Sequence, residues 1–259
     1  MRGLGMAGGM SDPDLEVPDA RADGTGTLQA FLDKWQARWP EWSVAGVFVP
    51  DAVRARAVAW ASLLQELSDA AWGGSDPRPG LAKLAWWQEE LRGWERGVRR
   101  HPLGIELQRL PAPWGGLAGA LDSLPASRER AGDPGEAVEL VRPFAHAAAA
   151  VEAALFDGRG EGASGEEEAE LVAAWLLFSR FSHDQDAHVP LSVMAAAGDG
   201  DATLAWAAEL RRRWPDAVSR HRPRRIWTAL ARGRLGARDP RRPASGWSTL
   251  WRAWRAARG

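Results

Sequence analysis

The sequence predicts an all-α protein, and three observations carry that prediction. Nearly every patterned stretch repeats its apolar residues at three and four positions, the spacing that lines one face of a helix. No two segments alternate apolar and polar residues as paired strands do. The breaks fall at proline and glycine, at Pro50, His101-Pro102, Asp133-Pro134 and Gly158 to Gly165. No long internal repeat is present, so the helices are expected to form one domain over residues 25–259. Residues 1–24 are Gly-rich and are expected to be a flexible tail outside the fold, with Met6 and Met10 as alternative starts to Met1.

Each element has its own local reason. Thr27 to Trp39 carries Leu28, Phe31, Leu32, Trp35 and Trp39 on one side. Ser43 to Val49 is a short apolar run, expected to be a strand-like lead-in that Pro50 ends. Asp51 is expected to cap a long helix with Val53, Ala57, Trp60, Leu64, Leu67 and Ala71 at alternating four- and three-residue steps. Asp76 and Pro77 supply a cap and a first-turn proline for the next helix. There Leu81, Leu84, Trp87 or Gln88, Leu91, Trp94 and Val98 form an apolar face, and Lys83, Glu89, Glu90, Arg92 and Glu95 fall largely opposite. His101-Pro102 stops that helix, because proline disfavours helical geometry in the residue before it. A turn near 103–110 and a helix over 114–124 follow. Asp133-Pro134 opens a helix through Val138, Val141, Ala145, Ala148 and Leu155. Glu166 to Glu168 place negative charge at the start of the next, which runs to Phe181. Segments 201–214, 217–230 and 246–257 complete the set.

Composition narrows the function classes. Of 259 residues, 45% are hydrophobic, enough for a sizeable core. A formal charge of −1 gives no global reason to expect nucleic acid. The lack of cysteine excludes disulfides, thiolate zinc sites and cysteine catalysis. Thirty-one arginines stand against two lysines, Lys34 and Lys83, a bias expected of a GC-rich coding sequence. The same bias discounts the 16 tryptophans, with no tyrosine, as a functional signal. No apolar run approaches the roughly 20 residues of a membrane span, and the N-terminus lacks the apolar core of a signal peptide. The expected location is the cytoplasm, with room for peripheral membrane contact. No Gly-x-Gly-x-x-Gly, phosphate-binding loop or nucleophile elbow occurs.

The most specific wording is PGLAKLAWWQEELRGWERGVRRHP, from Pro79 to Pro102. It resembles the squalene/phytoene synthase family, in which a Leu-x-x-Trp-Trp-Arg-Glu-Glu-Leu helix leads to a His-Pro. Upstream, RARAVAWASLLQE from Arg54 to Glu66 is similar to the helix that precedes the double tryptophan in that family. Downstream, LVAAWLLFSRFSHDQDAHVPL from Leu171 to Leu191 looks like a worn version of the family helix that ends in Arg-Asp and leads to Tyr-Leu-Pro. The likeness covers roughly residues 28–235, and its specific part is 54–102. It implies an isoprenoid-synthase-like helical bundle. It also implies head-to-head condensation of prenyl diphosphates, with Mg²⁺ neutralising the leaving group. Two facing helices would each present Asp-x-x-x-Asp, a spacing that stacks both carboxylates on one face.

This chain departs from both motifs. At the first it offers Gln65, Glu66 and Asp69, and Glu66 and Asp69 lie three apart, close enough to share a cation. At the second, His183-Asp184 stands where the family has Arg-Asp. The next carboxylate, Asp186, points about 200° away on a regular helix, and His188 replaces the tyrosine. The reduced metal set implied by the resemblance is Glu66, Asp69, Asp184 and Asp186, with Gln65, His183 and His188 lining a substrate cavity. Taken alone, HDQDAH could bind zinc, manganese or iron if looped, and is otherwise a polar turn between helices.

Two functions are therefore expected to compete. One is a degenerate, non-catalytic relative acting as an isoprenoid- or lipid-binding or assembly scaffold, as some members such as mitochondrial complex I assembly factors look to be. The other is a Mg²⁺-dependent prenyltransferase acting on prenyl diphosphates. A separate feature runs from Arg211 to the end, where 15 arginines meet only Asp216 and Asp239. Trp214, Trp227, Trp247, Trp251 and Trp254 are interspersed. Such a mixture suits nucleic acid or anionic lipid headgroups. The spacing of Trp247, Leu250, Trp251 and Trp254 suits a helix lying on a membrane or on the protein's own core. Packing on the core through the tryptophans is the expectation, with peripheral membrane contact as the alternative.

Overall fold

The apolar periodicity closes into twelve α-helices in the computed structural model, which describes residues 20–156, 165–183 and 188–258. No strand occurs among the described residues, and the helices form a single bundle. Helix α1 (Ala20–Arg38) buries Leu28 and Trp35. The expected strand-like run is instead a one-turn helix, α2 (Trp42–Ala45), followed by a 3₁₀ turn (Gly46–Phe48). A strand here has no partner to pair with, so the backbone satisfies itself locally. Val44 and Ala45 donate to the Glu41 carbonyl, and Val49 donates to Gly46.

Helix α3 (Asp51–Trp72) is the spine of the bundle and is buried from Ala57 to Ser68 without a break. Pro50, not Asp51, occupies its N-cap position. Asp51 sits in the first turn, where its charge favours the helix dipole, and pairs with Arg54 at 2.5 Å. Helix α4 (Pro77–Glu95) starts on the Asp76 cap, whose carboxylate accepts from the Arg78 N–H at 3.0 Å. It ends where Gly97 adopts φ +79°, which lets Val98 N–H reach the Gly93 carbonyl and Gly97 N–H the Trp94 carbonyl. Leu84, Trp87, Leu91 and Trp94 face the core as their spacing predicts, whereas Leu81 and Val98 are exposed. Glu90 also departs from the pattern, since it is buried. Its carboxylate accepts from the backbone N–H groups of Arg100 (2.7 Å) and His101 (2.8 Å), past the end of the helix, and from the Trp94 indole N–H (2.8 Å).

Next come α5 (Gly104–Leu107), α6 (Trp114–Ala120) and two 3₁₀ turns up to Arg128. Helices α7 (Pro134–Phe156) and α8 (Glu166–His183) pack along each other's length. Helices α9 (Leu191–Ala197), α10 (Ala202–Arg212), α11 (Arg222–Leu235) and α12 (Gly246–Arg258) finish the chain. Helix α11 starts at Arg222, with Pro223 in its first turn, five residues later than the periodicity predicts. Helix α9 buries no residue, so it carries no amphipathic signal to read.

Tryptophan builds the core, as its large apolar area predicts. Trp35, Trp39, Trp60, Trp87, Trp94, Trp114, Trp175 and Trp227 are all fully buried. Two arginines of α11 lie among them. Arg224 pairs with Glu152 of α7, and Arg234 pairs with Glu41 at 2.6–2.7 Å. Both guanidinium groups lie over indole rings, Arg234 at 4.4 Å from Trp39 and Arg224 at 5.2 and 5.1 Å from Trp175 and Trp227.

Helix α12 reverses an expectation. It rests on α11 and α2 through Thr249 and Ala253, while Trp247, Leu250 and Trp251 face solvent. Small residues decide this. Gly233 of α11 lies against the Arg252 stem, where an added Cβ would come within 2.9 Å of Cδ. The Thr/Ala face fits that close approach, and an indole there would hold the helices apart. No helix among the described residues is long and apolar enough to cross a membrane.

Candidate functional site

Helices α1, α3 and α4 bring the first candidate motif together with charges that sequence reasoning did not assign to it. Gln65, Glu66 and Asp69 sit at three- and four-residue spacing on α3, so all three face the same groove between α1 and α4. From α1, Lys34 and Arg38 reach down one turn apart. Lys34 Nζ lies 2.5 Å from Glu66 Oε1 and 3.1 Å from Asp69 Oδ2. Arg38 donates to both oxygens of Asp69, at 2.6 and 3.1 Å. From α4, Lys83 Nζ donates to Glu66 Oε2 at 2.6 Å. Glu66 and Asp69 do share a cation, and that cation is the Lys34 ammonium.

The carboxylates are held ionised by these contacts. Burial alone would raise the Glu66 pKa, but the hydrogen bonds from Lys34 and Lys83 outweigh it and the net shift is downward. Asp69 follows the same balance, with Arg38 and then Lys34 outweighing burial. Burial would likewise lower Lys34, and its two carboxylate partners raise it instead. Three cations thus face two carboxylates, leaving the cluster with one positive charge in excess. Gln65 is buried, donates Nε2 to Asp69 Oδ1 at 2.6 Å, and has no hydrogen-bond partner for Oε1 among the described residues.

His101 closes one side of this groove. Its ring lies 4.5 Å from Phe31, 4.5 Å from Trp87 and 5.9 Å from Trp86, between centroids. Burial lowers its pKa to about 4, against the pull of Glu66 and Glu90. The Leu103 N–H donates to Nδ1 at 3.2 Å, which requires that nitrogen to be unprotonated. His101 is therefore a neutral imidazole in an aromatic cage rather than a charged partner for Glu66.

The second motif is only partly described. The side chain of His183, at the end of α8, and Asp184 and Asp186 beyond it lie outside the described residues. His188 takes φ +44°, and its Nε2 lies 3.1 Å from the Arg128 carbonyl oxygen. The space that it lines with Arg180 and Trp206 measures about 10 Å³, room for one water at most.

Magnesium fits the first motif poorly as it stands. A hard dication needs free oxygen ligands, and both oxygens of Glu66 already accept an ammonium. Among the described residues, no three His, Asp or Glu side chains converge as a metal site. Missing from the sequence reading were Lys34, Arg38 and Lys83 as partners of this site. The signal that points to the two lysines is rarity, because the chain's only two lysines meet at one carboxylate.

No family model, curated protein or solved structure matches the chain.

Proposed function

We propose that this protein is a non-catalytic relative of the squalene/phytoene synthases, a helical scaffold that binds lipid or assembles with a partner instead of transferring prenyl groups. The observation that carries the reading is the state of Glu66. The carboxylate that would hold magnesium is saturated by Lys34 and Lys83, at 2.5 and 2.6 Å, and Asp69 is taken by Arg38 and Lys34. In prenyl transfer the metal carries positive charge to a departing diphosphate. Here side-chain cations fixed to their own carboxylates hold that charge within the fold. The interior supports the same reading. Between α3, α7 and α11, Trp60, Glu152 and Arg224 fill the space with a buried, hydrogen-bonded ion pair, unlike the mostly apolar cavity that a carbocation and prenyl tails require.

The test is incubation of the full chain with farnesyl or geranylgeranyl diphosphate and Mg²⁺, following diphosphate release. Release no faster than without protein is expected. Release that disappears in Asp184→Ala would make the protein a Mg²⁺-dependent prenyltransferase and overturn the scaffold reading.

A further inference from the structure

The outward face of α12 is a feature that the scaffold reading leaves unused. At about 100° per residue, Trp247, Leu250, Trp251 and Trp254 share one side of this helix, opposite the buried Thr249 and Ala253. Trp247 is 84% exposed and Trp251 58%. Trp251 and Trp254 stack at 5.0 Å, and the Arg258 guanidinium lies 4.1 Å from the Trp254 ring. Beside this stripe, α11 and α12 border a groove of about 720 Å³. Arg211, Arg232, Arg252 and Arg255 line it, and Trp251 belongs to both stripe and groove. Among the described residues these four arginines have no ion pair or side-chain hydrogen bond, and Asp216 is the single carboxylate in the lining.

We infer that this face docks on an anionic membrane surface, with the tryptophan stripe in the headgroup–acyl boundary and the groove arginines on lipid phosphates. Indole is the side chain best suited to that boundary, with its apolar body inward and its N–H toward the headgroups. Unpaired arginines next to it supply the electrostatic half of an interfacial helix. The fold itself has no use for the stripe, since α12 is anchored by its small-residue face and by Arg225, which donates to the Ala256 carbonyl at 2.8 Å. The geometry favours lipid over nucleic acid. Trp254 is already stacked on Trp251 and covered by Arg258, so it is not free as a platform for a base. Leu250 and the exposed Val218 beside the groove add aliphatic surface, which suits acyl chains and offers nothing to a base.

The experiment is co-sedimentation of the full chain with vesicles of phosphatidylcholine alone or mixed with phosphatidylglycerol. Binding to the mixed vesicles only is expected, weakening as salt rises. A Trp247→Ser/Trp251→Ser variant, and separately an Arg232→Glu/Arg255→Glu variant, should each lose about tenfold in affinity with unchanged helical circular dichroism. Absence of binding, or equal binding by the wild type and both variants, overturns the inference. So does self-association that the tryptophan variant abolishes without any vesicle binding, which would assign the face to a second copy. A complex with single-stranded nucleic acid in place of vesicle binding overturns it too. The inference is independent of the catalytic question, because diphosphate release and vesicle binding are read separately.

Discussion

Arg224 and Glu152 form an ion pair that no solvent reaches, joining α11 to α7 in the middle of the bundle. Trp60 donates its indole N–H to the same carboxylate at 2.8 Å, so three helices meet at one charged group. Such a pair stabilises little relative to apolar packing, yet removing one partner leaves a bare charge in the core.

Glu152→Ala is therefore expected to destabilise the fold by about 3–5 kcal/mol, whereas Glu152→Leu with Arg224→Met should recover much of that loss. Urea unfolding of the two variants checks it. Equal losses would mean that the pair's charge is not what matters.

Glu66→Gln removes the negative charge that Lys34 and Lys83 share and leaves Asp69, held by Lys34 and Arg38, as the one carboxylate of the cluster. Both lysines are close to half exposed, so solvent screens the pairs and the expected loss is only about 1 kcal/mol. Thermal melts with and without Mg²⁺ test the same site from the other side. Added magnesium should leave the wild-type midpoint unchanged, and a stabilising shift that vanishes in Glu66→Gln would contradict the charge assignment.

His101 makes stability depend on pH. Its native pKa of about 4 lies below the ordinary 6.5, so within that window the unfolded chain binds more protons than the folded one. The stabilisation is complete above 6.5 and is lost as the pH falls toward 4. Glu66, Asp69, Glu41 and Glu90, all lowered, add a second loss only below their ordinary values of 4.5 and 3.8. In His101→Gln the first slope should vanish and the second remain, as denaturation midpoints measured across the range would show.

Gly80, near the start of α4, lies so close to the Ala70 carbonyl of α3 that an added methyl would overlap it. Gly80→Ala should cost about 1–3 kcal/mol, despite the better helix propensity of alanine. A stabilised variant, measured by urea unfolding, would show that the two helices can separate at no cost.

Several of these residues were visible in the sequence and others were not. Leu84, Trp87, Leu91 and Trp94 show their burial by spacing alone, because a helix repeats every 3.6 residues wherever it packs. Glu90 does not, since its burial depends on N–H groups ten residues away that converge only when the chain turns at Gly97. Glu66 and Asp69 were recognisable as neighbours on one face. Their partners Lys34 and Lys83 lie 32 and 17 residues from Glu66, a separation over which local pattern carries no information.

The sequence by itself determined the helical class, the Asp76–Pro77 start of α4 and the aromatic composition of the core, which follow from local sterics and periodicity. Only the tertiary structure decided which face of each helix is buried where two could serve, and which cation meets which carboxylate. Helix α12 shows the reason. Its tryptophan face is the more hydrophobic, yet the buried face is that of Thr249 and Ala253, with the Arg252 stem lying against Gly233 of α11. Shape fit between helices, a property of pairs, outweighed the hydrophobicity of either face alone.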